Sequence, residues 1–264
     1  ETVNHGVVAH VDAGKTTVTE QLLYQSNTTH TVGSVDAGTA QTDSMKLEQA
    51  RGISIQAAAA SIQYEGVRLN FIDTPGHTDF AAEVERSLLA LDGAILVISA
   101  VEGIQSQTEL LYDALRKTGT SVVFFINKLD RAGSRAAEVI RQIRETFTPR
   151  LLLCSEFGGE GERSCWVRAR DWGDPQFAVE AAELLAEEDD VLLERYLSGE
   201  ELPSAQLEEA LIKQIKEGKA APVLLGCAVQ GTGVRELLHF LSRYMEPVKN
   251  REDDACSAVI YKIA

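Results

Sequence analysis

Four short stretches hold the residue types from which chemistry could be built, and the first is "AHVDAGKT", residues 9–16. A Gly-Lys-Thr turn between an apolar run and a helix-like pattern gathers backbone N–H groups and a helix N-terminus around a phosphate. Lys15 would reach the β- and γ-phosphates, and Thr16 would ligate magnesium. Ala9 occupies a first position that is often Gly. His10, Val11, Asp12 and Ala13 form the body of the loop, and Gly14 and Thr17 flank the Lys-Thr pair. The competing reading is a Gly-Lys turn that opens an ordinary helix; a strand pattern before it and a helix pattern after it favour the phosphate loop.

The second stretch, "DTPGH" at 73–77, follows the apolar "LNFI". An Asp at that strand end, Asp73, can hold magnesium through water, and the Gly76 N–H can meet a γ-phosphate, with Thr74 and Pro75 shaping the turn. His77 stands where a water-positioning residue belongs, although an isolated His is more often structural or solvated. The third stretch is "NKLD", Asn127, Lys128, Leu129 and Asp130, after "VVFFI". A carboxylate there accepts from the guanine N1–H and N2 amine, whereas adenine has no such donor pair. Losing a bidentate contact of this kind costs about 1–3 kcal/mol by analogy with base readout. Asn127 would buttress the loops and the Lys128 stem would lie along the base. The fourth, "GCA" (Gly226, Cys227, Ala228), would aim a backbone N–H at guanine O6, although by itself it reads more readily as packing.

These residues need a scaffold, and the chain alternates apolar runs with helical patterns, the mark of a parallel sheet covered by helices. Strands are expected over 3–9, 68–72, 94–99 and 122–126, near-continuously apolar as strands buried on both faces are. Helices are expected over 15–25, 80–91, 105–118 and 134–147, and a final strand-helix pair over 221–228 and 234–245. Residues 1–150 and 220–250 then form one nucleotide-binding domain. Residues 151–219 read as an inserted acidic subdomain, with a Gly-rich turn, an extended "SCWVRAR" and two acidic helical stretches. In the second of those, Leu207, Leu211, Ile212 and Ile215 share a face, with Ser204 as cap and Gly218 as terminator. The run at 251–264 reads as the start of a truncated β-barrel domain, so the chain is expected to continue.

Composition narrows the partners. Of the 264 residues, 44% are hydrophobic and 25% charged, as in a globular chain, and the net charge is -15. Residues 155–219 hold 17 acidic against 7 basic side chains, a net of -10. That segment is either a solvated acidic face or a docking surface for a basic partner. Such charge disfavours DNA. No run approaches the roughly 20 apolar residues of a membrane span, and the first residues lack the pattern of an export signal. A cytoplasmic chain is therefore expected, with no membrane, no DNA and no oligomer. The four cysteines are far apart without a Cys-x-x-Cys pair, which argues against a disulfide framework and a zinc knuckle.

The order "AHVDAGKTT", "RGISI" (51–55), "DTPGHTDF", "NKLDR" and "GCA" resembles the translational GTPases of the elongation-factor-G-like group, as does an insert before the last motif. The stretch "GSVDAGTAQTDSMKLEQARGISIQ" (33–56) is more similar to the tetracycline-resistance ribosomal protection proteins, because Ser44 and Met45 stand where the translocase usually has Trp-Met. The resemblance implies an α/β fold of the P-loop NTPase type, a mostly parallel sheet flanked by helices plus an inserted α+β subdomain. It implies GTP and GDP as ligands, magnesium held by Thr16, by Ser54 where the family has Thr, and by Asp73 through water. His77 and Lys15 become catalytic, and Asp12 matches an acid thought to place a monovalent cation, although a turn-stabilising Asp fits equally. Val11 and Ile53 match the apolar gate beside the catalytic His. Ser stands in the family where Cys227 does here; the backbone contact survives that change, and the hydroxyl's support of the loop does not. The partners implied are the ribosome, through rRNA near the factor site, and its stalk protein on the acidic insert. A translocase without a drug role and a nucleotide-gated binding switch remain as alternatives.

Overall fold

The protein is described here from a computed structural model covering residues 2–29, 58–73, 88 and 90–246. Among these lie strands β1 (Thr2–Ala9), β2 (Ala58–Tyr64), β3 (Val67–Asp73), β4 (Gly93–Ser99), β5 (Ser121–Asn127), β6 (Leu151–Leu153), β7 (Ser155–Gly158), β8 (Trp166–Ala169) and β9 (Ala221–Leu225). The helices are α1 (Lys15–Gln25), α2 (Ser106–Thr118), α3 (Ala136–Thr146), α4 (Pro175–Ala186), α5 (Asp190–Leu197), α6 (Ser204–Lys216) and α7 (Val234–Tyr244). Seven strands make one sheet in the order β2-β3-β1-β4-β5-β9-β6, and all its pairings are parallel except that of β2 with β3. The expected α/β fold, a mostly parallel sheet between helices, is what the chain adopts.

Alternation along the strands fills two cores. In β4, Ile95 and Val97 join Val7, Phe71 and Phe125 beneath α1 and α7, whereas Ala94, Leu96 and Ile98 join Val8, Phe124 and Ile126 beneath α2 and α3. Every residue of β4 is buried, which is why its sequence reads as an unbroken apolar run. β1 sits between β3 and β4, so the order of the sheet reverses there. The loop leaving the carboxyl end of β1 therefore opens into the crevice where α/β sheets bind ligands.

Two strands of the main sheet are absent from the apolar-run reading. β2, "AAASIQY", is too rich in Ala to stand out, and it is held by a two-residue hairpin in which Glu65 (φ 47°) and Gly66 (φ 83°) are both left-handed. Leu151–Leu153, placed by sequence at the start of the insert, instead pairs with β9 as the edge of the main sheet. The helix expected over 80–91 lies mostly outside the described residues; Leu88 of that stretch is buried. Residues 251–264 lie outside them entirely.

The rest of the segment up to 219 forms the β7–β8 hairpin and three helices rather than two acidic stretches. Asp189 accepts from the Val191 and Leu192 N–H groups (3.1 and 3.2 Å) and so starts α5 apart from α4. Ser204 is the first residue of α6 and makes no cap bond; Pro203 holds the cap position. Gly218, at φ +68°, ends that helix in the left-handed conformation expected. Leu207, Leu211 and Ile215 are buried in the same core as Phe177, Leu185 and the residues of α7. Trp172 Nε1 donates to the Tyr244 hydroxyl at 3.0 Å. Part of the acidity is neutralised locally, by Arg170 on Glu180 (2.6 Å), Arg150 on Glu188 (2.5 Å) and Lys219 on Glu217 (2.9 Å).

Candidate nucleotide site

β1 delivers its last residue, Ala9, to a loop that turns twice through left-handed backbone, at Asp12 (φ 65°) and Gly14 (φ 95°). A turn bond from the Ala13 N–H to the His10 carbonyl (3.3 Å) closes it, and the Val18 N–H reaches the Gly14 carbonyl at 2.9 Å to begin α1. Gly14 provides no side-chain cap, so the first-turn N–H groups of α1 face the loop with their partial positive charge. Lys15 and Thr16 stand at that helix start and are buried.

Gly is required at position 14 for two reasons. A side chain would be strained at that φ, and a Cβ there would stand 2.4 Å from Asn127 Nδ2. Asn127, at the end of β5 and 3% exposed, is the joint of the site. Its Nδ2 donates to the Ala13 carbonyl at 2.9 Å, and its Oδ1 accepts from the Ala228 N–H at 2.9 Å. One amide thus ties the phosphate loop to the base loop and to the loop after β9. That is the buttress the sequence suggested for Asn127.

The remaining motif residues among those described follow the carboxyl ends of β5 and β9. Lys128 has φ +69°, and its Nζ lies 3.6 Å from Glu102 Oε2. Leu129 is fully buried and its N–H donates to the Gly226 carbonyl (3.3 Å), which leaves the half-exposed Asp130 carboxylate at the rim. The Gly226, Cys227 and Ala228 N–H groups all have acceptors inside the protein: the Ile126 carbonyl, the Thr232 carbonyl and Asn127 Oδ1. These bonds close the loop around Asn127. Cys227 also regains part of what a Ser would supply. Burial, and then the hydrogen bond of its thiol to Asp130, push its pKa up to about 12, so it stays protonated as a donor beside that carboxylate.

Glu102, Gln107 and Thr108 support the loop and are absent from the sequence reading of the site. His10 is buried; its Nδ1 pairs with Thr108 Oγ1 (3.2 Å) and its Nε2 with Glu102 Oε2 (3.4 Å). Burial lowers its pKa even though Glu102 acts in the opposite direction. The Val11 N–H donates to Gln107 Oε1 at 3.0 Å, and Val11 itself is 39% exposed. Glu102 therefore touches both His10 of the phosphate loop and Lys128 of the base loop. Polar residues just beyond the carboxyl end of β4 are the signal that could have found it.

Ser54, Thr74, Pro75, Gly76 and His77, with Ile53, lie outside the described residues, as does the side chain of Asp73. Among the described residues no group of three or more His, Cys, Asp or Glu could hold an ion by itself; Thr16, buried at the start of α1, is the described side chain that the sequence reading assigned to magnesium. Among them, too, no helix is long and apolar enough to cross a membrane.

Comparison with known proteins gives a consistent picture. Residues 1–247 match the family described as elongation factor Tu GTP binding domain. The chain is 43% identical over 263 residues to the oxytetracycline resistance protein of Streptomyces rimosus, covering 99% of this chain and 40% of that protein. It is 42% identical to the tetracycline resistance protein TetP of Clostridium perfringens, with the same two coverages, and 39% identical to TetW of Butyrivibrio fibrisolvens. It thus spans about two fifths of the length of these relatives. A solved structure from Thermus thermophilus, ttk003000868, superposes with a TM-score of 0.84 at 26% identity, over 93% of this chain and 40% of that one. With the loops after β1, β5 and β9 tied together by Asn127 at the carboxyl end of the sheet, the chain belongs to the elongation factor Tu GTP-binding domain family.

Proposed function

We propose that this chain is the GTP-binding and GTP-hydrolysing module of a ribosome-dependent translational GTPase of the kind that protects the ribosome from tetracycline. The observation that carries the reading is the Asn127 amide, which joins a phosphate loop to a base loop ending in Asp130. The identity of about 40% to tetracycline resistance proteins along nearly the whole chain supports the drug-related role.

In this reading the Asp130 carboxylate accepts from guanine N1–H and the N2 amine, and the Lys128 stem lies along the base. The loop from Ala9 to Thr17 wraps the phosphates with its N–H groups. The Lys15 ammonium neutralises charge that develops on the β- and γ-phosphates, and His77 orients an in-line water. Asp12, left-handed in the turn, helps to place a monovalent cation beside the phosphates. Magnesium, held by Thr16, Ser54 and, through water, Asp73, supplies further charge neutralisation at the phosphates when bound. No arginine finger is evident in the sequence, so hydrolysis is slow alone and is activated by rRNA near the factor site. The acidic segment 151–219 meets the stalk protein, and the protein works in the cytoplasm as a monomer.

The test uses the full-length protein with ribosomes. Phosphate release from GTP should rise by orders of magnitude when ribosomes are added, and His77→Ala should abolish that rise while GTP affinity stays. ATP that competed with GTP at similar affinity would refute the role of Asp130. Unstimulated release would favour a binding switch. Deleting the gene should remove tetracycline tolerance without slowing growth in drug-free medium, whereas lethality would make the protein a translocase.

A further inference from the structure

The segment between β6 and β9 sends one turn back onto the base loop. Residues 159–165 join β7 to β8, and Gly159 (φ +67°) and Gly161 (φ +83°) fold them tightly through left-handed backbone. The Gly161 N–H donates to the Leu129 carbonyl at 2.8 Å. Leu129 is therefore pinned on both sides, because its own N–H is taken by Gly226. The Glu160 carboxylate accepts from the Ser134 hydroxyl at 2.8 Å and, in a closer contact, from the N–H of Ala136, the first residue of α3. Arg135 holds the cap position of α3 and makes no cap bond of its own. A residue some 25 positions further along the chain thus caps this helix, at the point where the base loop ends. Cys165 closes the turn by donating its N–H to the Glu162 carbonyl (3.1 Å), and its side chain is buried in the same cluster as Leu129, Ala136 and Cys227.

These contacts bracket a strained stretch. Lys128, immediately before Leu129, is left-handed without being glycine, a conformation that persists only where its surroundings over-determine it. Asp130 follows Leu129 directly, so any swing of the Leu129 peptide displaces the carboxylate. We propose that Glu160 is a positioning residue for guanine recognition: with Gly161 it holds residues 127–136 in the conformation that directs Asp130 at the base. This rests on the reading of Asp130 as the guanine acceptor. It also makes the inserted segment part of the nucleotide site, so that a partner which pulls on the β7–β8 hairpin loosens the base.

The test compares affinities for GDP and for IDP, which lacks the exocyclic N2 amine, in the chain and its Glu160→Ala, Glu160→Gln and Ser134→Ala variants. A well-placed bidentate acceptor makes GDP bind about 10-fold or more tightly than IDP. Glu160→Ala should weaken GDP more than IDP and narrow that ratio about 3- to 10-fold, on the same scale. Glu160→Gln keeps an acceptor oxygen for Ser134 and Ala136 and should hold the ratio within about 2-fold of the parent, as a neutral acceptor still satisfies both donors. Ser134→Ala removes one donor and should fall between them. If Glu160→Ala does not fold, the Gln and Ser134→Ala variants decide by the same ratio. Equal weakening of both nucleotides, or an unchanged ratio in Glu160→Ala and Ser134→Ala, would overturn the proposal and leave Glu160 a fastening of the hairpin. A parent chain that binds IDP as well as GDP would instead overturn the reading of Asp130.

Discussion

His5 offers a sharp test of how the central sheet is built. It lies mid-way along β1, paired with Phe71 of β3 on one side and Gly93 of β4 on the other. The imidazole is 0% exposed, stacks on Phe71 at 6.0 Å between ring centroids, and has no hydrogen-bond partner for either nitrogen among the described residues. Burial therefore lowers its pKa from the ordinary 6.5 to about 3, because charging it would place an unpaired cation in an apolar core. The folded state thus holds His5 neutral, and the unfolded chain takes the proton. Above pH 6.5 the group costs nothing on this account. As pH falls below that value the unfolded state is favoured, by about 1.4 kcal/mol per pH unit, until the folded pKa is reached. Between pH 7 and pH 5 the loss is about 2 kcal/mol, and near pH 3 it reaches about 4 kcal/mol, a large part of the roughly 5–15 kcal/mol that holds a domain together. His5→Leu, of similar volume and with no nitrogen to desolvate, removes this dependence and raises stability at neutral pH by about 1–3 kcal/mol. Urea unfolding of both proteins at pH 5, 6, 7 and 8 measures the difference. The many carboxylates titrate alike in both and cancel. Parallel stability curves for parent and variant would refute the argument, since they would mean that the folded protein accommodates a charged His5.

Other predictions concern the site. Asn127→Ala leaves the buried Ala13 carbonyl and Ala228 N–H without partners; at about 1–3 kcal/mol each, stability should fall by roughly 2–6 kcal/mol, read by urea unfolding, with loss of nucleotide affinity. Gly14→Ala combines a φ of 95° with a Cβ 2.4 Å from Asn127 Nδ2; it should cost about 1–3 kcal/mol in melting experiments and abolish retention of guanine nucleotide on a filter. Asp189→Ala, which removes the cap of α5 far from the site, should cost about 1 kcal/mol and leave nucleotide affinity unchanged.

Local chemistry accounts for most of what was legible without coordinates. β4 and β5 reveal themselves because a strand buried on both faces must be apolar throughout, and α1 begins at Lys15 because Gly14 precedes it. β2 stayed hidden because its Ala-rich sequence carries little strand signal and its pairing depends on a hairpin with β3. Leu151–Leu153 joins the main sheet beside β9, a pairing its sequence leaves open because three Leu residues do not say which sheet they will join. The acidic segment looked like two helices; Asp189 divides it, and a lone Asp among many gives no warning of which one caps.

The sequence alone determined the identity and order of the motifs: Gly14, Lys15 and Thr16, then Asp73, then Asn127 and Asp130, the residue types that the proposed phosphate and base contacts demand at short spacing. Only the tertiary structure decided how they are held. The Asn127 amide spans 114 residues to Ala13 and 101 to Ala228. Glu102 reaches back to His10 across 92, and Glu160 caps α3 from a different hairpin. Such contacts leave no local pattern, because a hydrogen bond between residues so far apart exists only after the sheet has brought the carboxyl ends of β1, β5 and β9 to the same side.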